Sequence, residues 1–184
     1  MKAHWTVAVV LVAAMLFAGC DQTTVKDPPK PQEISDTSIG HFCGMQLWEH
    51  PGPKGQIFVF GKQEPVWFAS VRETFAFTML PEEPKTISAI YVSDMGMATN
   101  WERPEPGTWI DAKHAHYVIG SRRRVSMGVD DVVPFGEEAQ AKRFAAENGG
   151  RVVSFGDMPE NFILQYGDTD PAHDAPERRE ARKP

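Results

Sequence analysis

The residues best placed to do chemistry are Cys43 and Met45, in Cys43-Gly44-Met45. A thiol with a thioether two residues away is a soft-ligand pair, and such ligands select Cu(I) over hard cations. A thiolate alone would suit Zn(II) nearly as well, so it is the methionine partner that points to copper. In an extended strand, residues i and i+2 face the same side. An extended 42–47 segment would therefore aim both sulfurs at one spot, with Gly44 removing bulk between them. Two ligands leave room for a third. The candidates are Met127, in the polar stretch Val125-Ser126-Met127-Gly128, the pair in Met95-Gly96-Met97, His41, and the pair in His114-Ala115-His116.

These residue types also have plainer uses. Methionine is a common core gap-filler, single histidines usually sit at the surface or cap a turn, and Trp48, Trp67, Trp101 and Trp109 read most simply as core or interface residues. Catalytic signatures are scarce. The sequence has no Gly-x-Ser-x-Gly, no glycine-rich phosphate loop and no His-Glu-x-x-His. A Cys-His nucleophile, with Cys43 activated by His41 or His114, has neither a placed base nor an orienting group.

The other cysteine, Cys20, closes an apolar leader. Lys2 gives a positive start, residues 6–18 are apolar, and Leu16-Phe17-Ala18-Gly19-Cys20 has the form of a lipoprotein processing site. The apolar run is shorter than the ~20 residues needed to span a bilayer as a helix, so residues 1–19 are expected to be a signal peptide, with Cys20 lipidated. Cleavage removes one basic residue and no acid, which leaves 18 basic and 25 acidic residues and a formal charge of −7. That balance argues against nucleic acid as a partner. Arg122-Arg123-Arg124, the compact basic run, reads as a solvated turn. An exported chain left with one unpaired thiol is unusual, because such compartments favour even cysteine counts.

The elements that must position these groups occupy about 130 residues. Residues 20–38, with Pro28, Pro29 and Pro31, are expected to form a lipidated tether. Eighteen extended residues at ~3.1 Å each would reach about 55 Å from the lipid. Residues 168–184 are charged, poor in large apolar residues and expected to be disordered. Between them lies a faint repeat. In the first copy, Gln56 to Phe60 is strand-like, Phe68, Val71, Arg72, Phe75 and Met79 follow helical spacing, and Ile87 to Val92 returns as a strand ending at Asp94-Met95. In the second, the strand Tyr117-Val118-Ile119 leads through Val133-Pro134-Phe135 to a helix over Glu137 to Asn148, stopped by Gly149. Arg151 to Phe155 then runs to Asp157-Met158. Phe68 and Phe77 are nine residues apart, as are Phe135 and Phe144. The pattern predicts an α+β chain of two similar small ββαβ domains, over residues 39–110 and 111–167.

Phe42-Cys43-Gly44-Met45, Tyr91-Val92-Ser93-Asp94, Tyr117-Val118-Ile119-Gly120-Ser121, Met127-Gly128-Val129-Asp130, Val133-Pro134-Phe135 and Gly149-Gly150-Arg151-Val152-Val153-Ser154-Phe155 resemble the NosL family over residues 40–160. The resemblance implies two domains akin to a domain of organomercurial lyase. It also implies a periplasmic, membrane-anchored lipoprotein that is not an enzyme. Its implied role is to bind Cu(I) and hand it on for maturation of nitrous oxide reductase, together with a copper-assembly transporter and that transporter's periplasmic partner. Within the family motifs the ligand positions map to Cys43, Met45 and Met127, while His41, His114, His116, Met95 and Met97 stay as possible additional ligands on residue type alone. Two other functions stay open: an organomercurial-lyase-like enzyme, whose chemistry needs paired thiols where Cys43 has no partner, and a metal-free assembly lipoprotein.

Overall fold

The structure is a computed structural model that describes residues 27–123 and 132–164. Each half follows one plan. In the first, β1 (Gly55–Val59) is flanked by β2 (Val66–Phe68) and β3 (Ile87–Ser93), with helix α1 (Val71–Met79) between β2 and β3, and β4 (Trp109–Asp111) adds beyond β3 to give the order β2-β1-β3-β4. In the second, β5 (His116–Ile119) is flanked by β6 (Val133–Phe135) and β7 (Arg151–Val153), with α2 (Glu138–Asn148) between β6 and β7. All strand pairs are antiparallel. A third helix, α3 (Glu160–Leu164), follows β7. The expected α+β class with two ββαβ units is therefore what forms, although the boundary expected after residue 110 falls inside β4.

The alternation of side chains across β5 stacks the two halves. Tyr117 and Ile119 join one buried cluster with Ile57, Val59, Phe75 and Val92, while Val118 joins another with Val133, Phe135, Ala141 and Phe144. Helix α1 thus lies between the two sheets, and α2 covers the far face of the second. Phe75 on α1 makes edge-on contact with Tyr117 and meets Phe155 as well, both at 5.0 Å between ring centroids. The nine-residue spacing has a physical meaning. Phe68 ends β2 and touches Phe77 on α1 at 5.3 Å, and Phe135 ends β6 and touches Phe144 on α2 at the same 5.3 Å. Each pair rivets a helix to the strand before it. Phe68 was expected on the helix; it lies in β2, because Ser70 caps α1 by accepting from the Glu73 amide while the Glu73 carboxylate accepts from the Ala69 amide.

Three other expectations need correction. From Pro29 onward the proline-rich segment is not a free spacer. Gln32 and Gln56 exchange two hydrogen bonds at 2.9 Å, Tyr91 Oη donates to the Pro29 carbonyl at 2.8 Å, and Glu33 accepts from the Gly107 amide and Trp109 Nε1. This strap covers the outer face of the first sheet, which is why every residue of β1 is buried. Arg122 and Arg123 are not merely solvated. The Arg122 guanidinium donates to the Glu147 carbonyl at the C-terminal end of α2, where a cation also complements the helix dipole, and Arg123 lies over the Trp101 ring at 4.0 Å. Met95 and Met97 do not share a face. They occupy a turn that buries Met95 in the second cluster and leaves Met97 60 % exposed.

Candidate metal centre

The Cys43-Gly44-Met45 stretch is a tight loop rather than an extended strand. Ile39 bridges Gln46, the Gly40 amide donates to the Met45 carbonyl at 2.9 Å and the Leu47 amide to the Ser38 carbonyl at 3.1 Å, so 38–47 forms a small hairpin. At its tip the Gly44 amide donates back to the Gly40 carbonyl at 2.9 Å, and Gly44 takes φ +67°, the left-handed region that glycine enters without penalty. Gly44 is needed for the turn, not for clearance between two sulfurs. The clearance comes from Gly40: a Cβ there would stand 2.5 Å from Cys43 Sγ. Leu47 and Ala69, both buried, lie 3.7 Å from the same point and floor the space beside the thiol.

The hairpin docks on β2 through the His41 amide, which donates to the Trp67 carbonyl at 2.8 Å. The His41 ring packs among Phe42, Phe77 and Phe68 at 4.8, 5.4 and 6.0 Å, and its Nε2 lies 2.9 Å from Glu83 Oε1. A carboxylate held to one imidazole nitrogen fixes the ring and leaves Nδ1 as the nitrogen able to take a metal. Glu83 escaped the sequence reading because it is 42 residues away in the chain. Around the half-buried Cys43 stand Ile39, Phe42 and Met45, each exposed by more than two fifths. The loop thus offers a thiol, a thioether and an imidazole on one short segment with an apolar rim, a donor set suited to a soft monovalent cation.

The remaining candidates lie elsewhere. His114 is in a 3-10 turn (Ala112–His114) with its ring beside Asp111, His116 opens β5 opposite Phe135, and the two do not form the expected pair along one strand face. Met95 is core. Met127 and Cys20 fall outside the described residues. Among the described residues, no three His, Cys, Asp or Glu side chains gather as a metal cluster. The second copy repeats the turn itself. The Met95 amide donates to the Pro134 carbonyl at 2.9 Å, as His41 does to Trp67, and Ala98 donates back to Asp94 as Gly44 does to Gly40. Met97 therefore holds the position that Cys43 holds in the first turn. Asp94 starts the second turn, and its Oδ1 accepts from the Gly96 and Gly136 amides, which joins β3 to the second half.

Residues 31–163, the strap, both sheets and the loop, match the NosL family. The chain belongs to the NosL family. It is 38 % identical over 165 residues to the copper-binding lipoprotein NosL of Achromobacter cycloclastes, covering 89 % of this chain and 85 % of that protein. It is 34 % identical to the protein of the same name from Stutzerimonas stutzeri, covering 87 % and 82 %. The crystal structure of the copper chaperone NosL from Shewanella denitrificans superposes with a TM-score of 0.67 at 31 % identity, over 72 % of this chain and 98 % of that one. These relatives are binding and carrier proteins, not enzymes. Among the described residues, no helix is long and apolar enough to cross a membrane.

Proposed function

We propose that this NosL-family chain is a periplasmic, membrane-anchored lipoprotein that carries Cu(I) on Cys43, Met45 and Met127 and delivers it for maturation of nitrous oxide reductase. The observation that carries the reading is the loop itself, which seats one thiol over Gly40 and holds a solvent-facing thioether two residues on. Relatives named copper-binding lipoprotein and copper chaperone support the same cargo. The thiolate gives the charge that neutralises the cation, and the thioethers add softness without charge. A loop open to solvent on one side suits a carrier, because the recipient's own ligands can enter as the donor's leave. Handover involves the copper-assembly transporter and its periplasmic partner, and the lipid on Cys20 keeps the donor near them.

Anaerobic titration of Cu(I) from a chromophoric chelator into the purified chain tests the cargo and the ligands together. Cys43→Ala is expected to lose most of the affinity, and Met45→Ala and Met127→Ala to lose less. Unchanged binding by Cys43→Ala would overturn the assignment.

A further inference from the structure

The strap fixes where the chain leaves the folded protein. Asp27, Pro28 and Pro29 share one shallow hollow with Phe58, Phe60, Gly61 and Lys62, so the N-terminal segment departs beside the β1–β2 turn. At that turn Phe60 is 79 % exposed, the most exposed large hydrophobic side chain among the described residues. Its amide is fixed to the Thr86 carbonyl at 2.8 Å, and the exposed run continues through Lys62 to Glu64. Neither core cluster contains Phe60. The hollow is lined by one acid, Asp27, and one lysine, Lys62, so its own lining carries no net charge.

From Cys20 to Asp27 is seven residues, a reach of at most about 25 Å when fully extended. A chain lipidated at Cys20 therefore keeps the β1–β2 turn within that distance of the bilayer. We propose that Phe60 and Lys62 form a membrane-contacting tip, with the Phe60 ring entering the boundary between headgroups and acyl chains and the Lys62 ammonium staying among the headgroup phosphates. This rests on the lipoprotein reading above. The metal loop lies apart from this tip. It docks on Trp67 of β2, next to Phe68, which pairs with Gly55 at the far end of β1, and five residues of strand at ~3.4 Å each place Gly55 about 17 Å from Phe60. The tip thus orients the molecule, and the copper loop faces the aqueous side.

The test uses the full, lipidated chain with Cys43→Ser, so that a single introduced thiol carries a nitroxide. One form bears Gln63→Cys, an exposed position beside the tip that leaves Phe60 and Lys62 in place, and the other Met97→Cys in the exposed turn that follows the far end of β3. Both are reconstituted on vesicles of phosphatidylethanolamine and phosphatidylglycerol, and collision with oxygen is compared with collision with a water-soluble nickel chelate. The oxygen-to-nickel ratio is expected to be several-fold higher at position 63 than at position 97. Equal, water-like ratios at both positions on a chain whose N-terminus is lipidated by mass spectrometry would overturn the tip while leaving the anchor intact. An unmodified N-terminus on a chain found free in solution would overturn both.

Discussion

Cys43 Sγ lies against Gly40 so closely that a methyl group on the glycine would stand 2.5 Å from the sulfur. The Gly40 amide is simultaneously tied to the Met45 carbonyl, so the backbone there cannot move aside without opening the hairpin. Gly40→Ala is expected to push the thiol off its apolar floor and weaken Cu(I) binding at least several-fold, with the two sheets retained by circular dichroism. Wild-type affinity in a folded Gly40→Ala chain would show that the seat of the thiol does not matter.

The Phe68–Phe77 and Phe135–Phe144 pairs make a stability prediction with a built-in comparison. Phe→Ala at a buried site costs about 3–5 kcal/mol, and both Phe77 and Phe144 are buried. Chemical denaturation of Phe77→Ala and Phe144→Ala should show losses of that size. Phe77 also packs against the His41 ring, so Phe77→Ala should weaken metal binding as well, whereas Phe144→Ala should leave it unchanged in protein that remains folded. Equal effects of the two on metal affinity would break the link between α1 and the loop.

Ser70 and Glu73 close the N-terminus of α1 reciprocally. Loss of an N-cap side chain costs about 1 kcal/mol. Ser70→Ala should lower the unfolding free energy by about that amount, and Ser70→Asp, which restores an acceptor, should recover most of it. A Ser70→Ala chain as stable as the parent would mean the cap contributes nothing here.

Tyr117 supplies the pH prediction. Burial, reinforced by the nearby Asp111 carboxylate, pushes its phenol well above the ordinary value near 10, and its hydroxyl donates to the Ala112 carbonyl. The unfolded chain releases this proton near pH 10 while the folded chain keeps it. The contribution to stability is therefore complete below pH 10 and is lost as pH rises beyond it, with a slope of about 1.4 kcal/mol per pH unit from this one group. Tyr117→Phe should be about 1 kcal/mol less stable at neutral pH, for want of the hydrogen bond, yet lose stability less steeply above pH 10. Urea unfolding from pH 8 to 11.5 compares the two, and parallel curves would sink the argument.

Much of the framework was legible because period and spacing report local structure. The strand runs near Ile57, Ile90 and Val118, the helix ending at Gly149 and the paired phenylalanines all appear where the sequence pattern places them. What failed were features decided by distant partners. The 42–47 segment reads as extended, yet pairing of Ile39 with Gln46 closes it into a loop. The proline-rich segment has the composition of a spacer, and only Gln56, 24 residues away, makes Gln32 part of the sheet. Phe68 fits a helical stripe because the apolar spacing runs on across the β2–α1 junction. In the candidate site, Cys43 and Met45 could be singled out by residue type, but the carboxylate on His41 could not. Glu83 belongs to a loop after α1, and nothing near it in sequence marks it.

The paired turns, one led by Gly40 and the other by Asp94, put one backbone geometry to two uses. Both turns have the same two backbone hydrogen bonds. In the first the leading residue is glycine, which leaves room for the Cys43 sulfur three positions on. In the second it is a carboxylate that fastens β3 to the second half. The mechanical duty falls to the second turn, and the leading position of the first is left clear for the thiol. A loop open to solvent can sit at the edge of β2 because its counterpart, with Met95 buried and Asp94 bound to the Gly136 amide, holds the two halves in place.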